Sequence, residues 1–90
     1  MTCEDVLREE SILIDGVHLT YTLSSRRTER GVLLFSLTVT EAYRGKKERI
    51  ILYDLTNDRA EAERLFLLYY EGAVTVCTAE DVLTELLYTP

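Results

Sequence analysis

Asp58–Glu71, DRAEAERLFLLYYE, is the stretch on which the reading of the fold turns. Ala62, Leu65, Phe66 and Tyr69 recur at the i, i+3, i+4, i+7 spacing that gathers side chains on one face of a 3.6-residue helix. Asp58 stands where an N-cap would accept from the first free amides, and Glu61 follows three residues later as in a capping box. Gly72 suits the left-handed position just past the last turn. Leu67, Leu68 and Tyr70 fall on other sides, so a helix over 58–71 needs more than one neighbour.

Working back from this helix, the chain reads as paired strands. Val17, Leu19, Tyr21 and Leu23 alternate with His18, Thr20, Thr22 and Ser24, and Leu33, Phe35, Leu37 and Val39 alternate with Leu34, Ser36, Thr38 and Thr40. A period of two is the signature of a strand with one buried face. Asp15-Gly16 is a strong hairpin signal, because a type I′ turn needs positive φ at both central residues. It sets Ile14 opposite Val17 and Ile12 opposite Leu19. A second reversal at Gly45-Lys46, with the glycine at the first position of a type II′ turn, would set Val39 opposite Leu52 and Glu41 opposite Ile50.

Both registers put the apolar sets on one side, and a slip of one residue in either hairpin would break that agreement. The core face then holds Ile12, Ile14, Val17, Leu19, Tyr21, Leu23, Leu33, Phe35, Leu37, Val39, Ile50 and Leu52. Met1–Leu7 shows no period and reads as a tail or frayed strand start. Residues 25–31, SRRTERG, read as a polar loop.

Working forward, Ala73–Cys77 is short, apolar and β-branched, either a buried connector or an extra edge strand. Thr78 as N-cap with Asp81 at the third helical position opens a second helix, on which Val82, Leu83, Leu86 and Leu87 keep helical spacing. The expected architecture is α+β: one domain over 1–90, a four-stranded antiparallel meander in the order 1-2-3-4 over about 8–55, and helices over 58–71 and 79–88 packed on one face.

Composition narrows the function classes. The chain is 47% hydrophobic with a net charge of −6. Residues 1–57 carry eight basic and nine acidic groups, whereas 58–90 carry two basic and seven acidic. The helical half is therefore the acidic face, which repels nucleic acid and anionic membranes. No apolar run is long enough for a membrane span, and the acidic start MTCEDVLREE lacks the order of a signal peptide, so a cytoplasmic protein is expected. Cys3 and Cys77 are too few for a disulfide scaffold, and free thiols are expected.

No His/Cys ligand spacing, acidic calcium loop, glycine-rich phosphate loop or nucleophile elbow is present, so the sequence supplies no metal, cofactor or catalytic residue to name. The hydroxyls of Thr20, Thr22, Ser24, Ser36, Thr38 and Thr40 share the outer face of the sheet, either as a solvated antiparallel face, for which threonine is the usual polar residue, or as a flat protein-binding surface. Leu13, Leu34, Ile51 and Tyr53 have the same parity and, with Leu67, Leu68 and Tyr70 of the long helix, compose a candidate interaction surface for a second copy or another protein.

His18 falls on the outer face opposite Leu13 and near Thr38, without a base and nucleophile arranged around it. Cys77 precedes a helix N-terminus, where a dipole lowers a thiol pKa, but Glu80 and Asp81 oppose a thiolate and its valine neighbours favour burial. Arg26, Arg27 and Arg30 on one side, and Arg44, Lys46, Lys47 and Arg49 on the other, belong to opposite ends of strand 3 and form no common patch.

Gly16-Val17 with Tyr21-Thr22-Leu23, Asp54-Leu55-Thr56, and Asp81-Val82-Leu83-Thr84-Glu85-Leu86-Leu87 together resemble a family of small uncharacterised proteins of clostridial-type bacteria, a domain of unknown function. The resemblance implies a bacterial cytoplasmic protein and brings no activity with it. That family often has a histidine near the start of its last helix, where this chain has Thr78. The expectation is thus a small non-catalytic interaction or regulatory module that self-associates, with a thiol enzyme or redox sensor using Cys77 as the alternative.

Overall fold

A computed structural model describes residues 4–88, with side-chain surroundings for 5–85. Cys3 lies outside the described residues, as do the side chains of Leu86 and Leu87. Four strands of equal length, β1 (Glu4–Ile14), β2 (Val17–Arg27), β3 (Leu33–Tyr43) and β4 (Lys46–Thr56), form an antiparallel sheet in the order β1-β2-β3-β4. Helices α1 (Arg59–Glu71) and α2 (Ala79–Tyr88) follow. This is the expected α+β meander.

The apolar sets meet on one side as the alternation requires. Ile14 pairs with Val17 and Ile12 with Leu19 across the first turn. Tyr21 faces Val39, Leu23 faces Leu37, and Leu37 faces Leu52. Onto this face α1 lays Ala62, Phe66 and Tyr69, all buried, with Leu65 buried beside them. Ile14 departs from the expected core: it is 43% exposed, at the end of the sheet that α1 leaves uncovered. The Arg8 guanidinium sits 5.1 Å from the centre of the Phe66 ring and caps the other flank.

Three local readings are corrected. The second hairpin turns at Arg44-Gly45 (φ 47° and 79°), not Gly45-Lys46, and sets Tyr43 opposite Lys46 and Val39 opposite Ile50. Glycine takes the second central position of a type I′ turn, whose twist matches the strands. The shift from the expected register is two residues, so every side chain keeps its face. Next, β1 extends back to Glu4, its pairing with β2 continuing past a register shift between Val6 and Arg8. An extra residue there breaks the alternation, which is why 1–7 shows no period. Finally, β2 continues through Arg27, since Ser25 is buried against α1's side of the sheet and Arg26 pairs across with Leu34.

The helix ends also differ in detail. Asp58 caps α1 by accepting from the Ala60 amide at 2.9 Å, but Glu61 pairs with Arg64 instead of closing a capping box, and the Asp58 amide donates to Thr56 Oγ1. Gly72 is right-handed, and Ala73 takes the left-handed position (φ 49°). The amides of Ala73 and Val74 donate to the carbonyls of Tyr70 and Tyr69, a Schellman end. At Gly72 a Cβ would sit 3.0 Å from the Leu68 carbonyl oxygen, a tight contact that glycine avoids.

Residues 73–78 are a turned connector and not a fifth strand. Two buried hydroxyls locate it: Tyr21 donates to the Val74 carbonyl at 2.7 Å and Tyr69 to the Ala79 carbonyl at 2.6 Å. Thr78 Oγ1 lies 3.0 Å from Thr75 Oγ1 and so braces the connector instead of capping α2.

Candidate functional site

The molecule measures 43 × 36 × 17 Å, and 17 Å is the thickness of one sheet with one layer of helices. Among the described residues, nothing therefore covers the second face of the sheet. Its side chains form rows across the strands: Leu13, His18, Ala42, Lys47; Ser11, Thr20, Thr40, Arg49; Glu9, Thr22, Thr38, Ile51. His18 consequently neighbours Ala42 and not Thr38. The threonines are half-buried by one another, and Thr22 Oγ1 donates to Glu9 at 3.1 Å.

Ser24 and Ser36 differ from the rest of the hydroxyl patch in being buried. At their end of the sheet β4 bulges, with Asp54 at φ 50° and the register shifting between Phe35 and Leu37. Ser36 Oγ accepts from the Asp54 amide at 3.0 Å, and the Arg26 guanidinium grips both carboxylate oxygens of Asp54. The hydrogen bonds from Arg26 hold the Asp54 carboxyl below the ordinary carboxylate range. Sequence spacing gave no sign of this clasp, because Arg26 and Asp54 stand on non-adjacent strands and meet only through the bulge.

The seven residues of the expected interaction surface do not form one surface. Leu13 is 72% exposed on the outer face of β1, and Tyr53 is 62% exposed on β4 with Ile51 half-buried beside it. Leu34 is half-buried on β3. β2 lies between Leu13 and Leu34, and both β2 and β3 lie between Leu13 and the two β4 residues. On α1, in the opposite layer, Leu67 and Tyr70 pack against the core, Tyr70 stacking on Phe66 and meeting Tyr21 edge-on, which leaves Leu68 exposed at 39%. Val6, 63% exposed on the outer face of β1, was hidden by the bulge that also hid its strand.

On the helix side, Ile14, Asp15, Val17, Leu19, Glu41, Ala73 and Thr75 line an open trough of about 260 Å³ where α1 stops short of the first hairpin. The trough is mainly apolar and carries the Glu41 carboxylate.

Cys77 is exposed and not buried, since the turned connector directs it outward while Val74 takes the inner position. His18 projects from the outer face of the sheet, whereas the connector bearing Cys77 packs on the inner face, so the two make no dyad. Arg27 donates to the Gly31 carbonyl at its end of the sheet, and Arg44 stacks over Tyr43 at the other. The two basic groups stay apart.

No family model, curated protein or solved structure matches the chain. Among the described residues no helix is long and apolar enough to cross a membrane, and no three His, Cys, Asp or Glu side chains converge as metal ligands.

Proposed function

We propose that this protein is a small non-catalytic interaction module that self-associates at the β4 margin of its sheet, beside the uncovered face. The observation that carries the reading is the pairing of a bare sheet face with apolar groups at its margin, Ile51 and Tyr53 on β4 above all. Large apolar side chains grouped at an exposed sheet margin mark a contact site in soluble proteins. A surface of half-buried threonines beside them is flat and gives a partner hydrogen-bonding groups of both kinds. The acidic balance of the chain favours a protein partner over nucleic acid.

Sedimentation velocity over a series reaching high micromolar concentration tests this. The expected result is a concentration-dependent shift from monomer to dimer, and a strict monomer throughout contradicts it. The rival reading, a thiol enzyme or redox sensor, draws on the exposure of Cys77 alone. Maleimide labelling near pH 7 faster than that of a free cysteine would favour it, and labelling at the free-cysteine rate removes it.

A further inference from the structure

The two-residue turns fix which backbone groups of the edge strands face outward. In such a hairpin the residues flanking the turn exchange both hydrogen bonds, and the pattern then alternates along the strand. With Tyr43 opposite Lys46, the even-numbered residues of β4 bond to β3. The amides and carbonyls of Lys47, Arg49, Ile51 and Tyr53 therefore point away from the sheet. On β1, with Ile14 opposite Val17, those of Glu9, Ser11 and Leu13 do the same.

The two edges are not equally open. β1 carries a bulge between Val6 and Arg8, and charged Arg8, Glu9 and Glu10 follow it directly. Bulges and edge charges prevent added strands. β4 is regular from Lys46 to Tyr53 and contains no proline; within that stretch the charges stop at Arg49 and Ile50, Ile51, Leu52 and Tyr53 complete it, while Asp54, beyond it, is held by Arg26.

Laid antiparallel on a second copy of itself about a two-fold axis at Ile51, β4 meets its own complement. Ile51 faces Ile51, Ile50 faces Leu52, and Arg49 faces Tyr53 on the outer side, where a guanidinium over an aromatic ring is favourable. The basic runs at Lys46 and Lys47 go to opposite ends. An axis at Arg49 would instead set arginine against arginine.

Building on the self-association reading, we propose that the partner is a second copy and the mode is antiparallel β4 pairing, giving a continuous eight-stranded sheet. With Cys3 and Cys77 replaced by serine, Ile51→Cys is expected to give a covalent dimer with a short bis-maleimide, and Leu13→Cys is not. By sedimentation, Ile51→Lys and Ile51→Pro are expected to weaken the dimer about tenfold or more. Ser11→Pro on the β1 edge is expected to leave it within about twofold. If the proline variant unfolds, the lysine variant decides. A dimer that survives Ile51→Lys, or cross-links through Leu13→Cys and not Ile51→Cys, overturns β4 pairing while leaving self-association standing. A wild-type monomer at high micromolar concentration overturns both.

Discussion

Two tyrosine hydroxyls hold the C-terminal third in place. Tyr21 and Tyr69 have their rings in the core and their hydroxyls on the carbonyls of Val74, in the turned connector, and Ala79, the first residue of α2. Removing the donor strands a buried carbonyl, so Tyr21→Phe is expected to cost about 1–2 kcal/mol in urea unfolding at constant m-value. Burial pushes both phenols up to about 12, with the charge of Glu41 adding to the effect at Tyr21. The native state thus holds protons that the unfolded chain releases near pH 10. The stability from these groups is complete below pH 10 and is lost as pH rises through about 12. An alkaline unfolding series should show this fall, with a smaller one in Tyr21→Phe. Ala73 is the opposite case, an alanine in the left-handed region where glycine is at ease. Ala73→Gly is expected to raise stability by about 0.5–1 kcal/mol, which thermal or urea unfolding would detect.

At the scale of elements, legibility followed local periodicity and failed where tertiary contacts decided. Val17–Leu23 and Leu33–Val39 alternate strictly because one face is buried along their whole length, so strands, faces and order could be read directly. The second turn was misplaced because arginine is an uncommon occupant of the first type I′ position. The glycine beside it drew the reading one residue too far, and only the even-numbered size of the register error saved the face assignment. Gly45→Ala tests the observed turn: at φ 79° a Cβ meets no neighbouring atom but the backbone is strained, for an expected loss of about 1 kcal/mol in chemical unfolding. β1 was truncated because its bulge breaks the period. The clasp of Arg26, Ser36 and Asp54 and the trough beside Ala73 were illegible, since each joins elements far apart in sequence. Cys77 was expected inside because its neighbours are valines, but in a turn neighbouring residues do not share a direction.

At the scale of the molecule, two C-terminal helices cover one face of a sheet whose strands are each 11 residues long. This leaves a flat particle with a hydroxyl-rich face, a guarded edge at β1 and an open edge at β4. The candidate surface was legible as a set of residues of common parity but not as a shape: only coordinates separate Leu13 from Tyr53 and return Leu67 and Tyr70 to the core. The most direct measurement is native-state amide hydrogen exchange at low and high protein concentration. The account predicts that protection at Arg49, Ile51 and Tyr53 rises with concentration while Ile50 and Leu52, already bonded to β3, and Ser11 and Leu13 on β1 stay constant. Protection that is unchanged at all three outward β4 amides, or that rises on β1 instead, would contradict it.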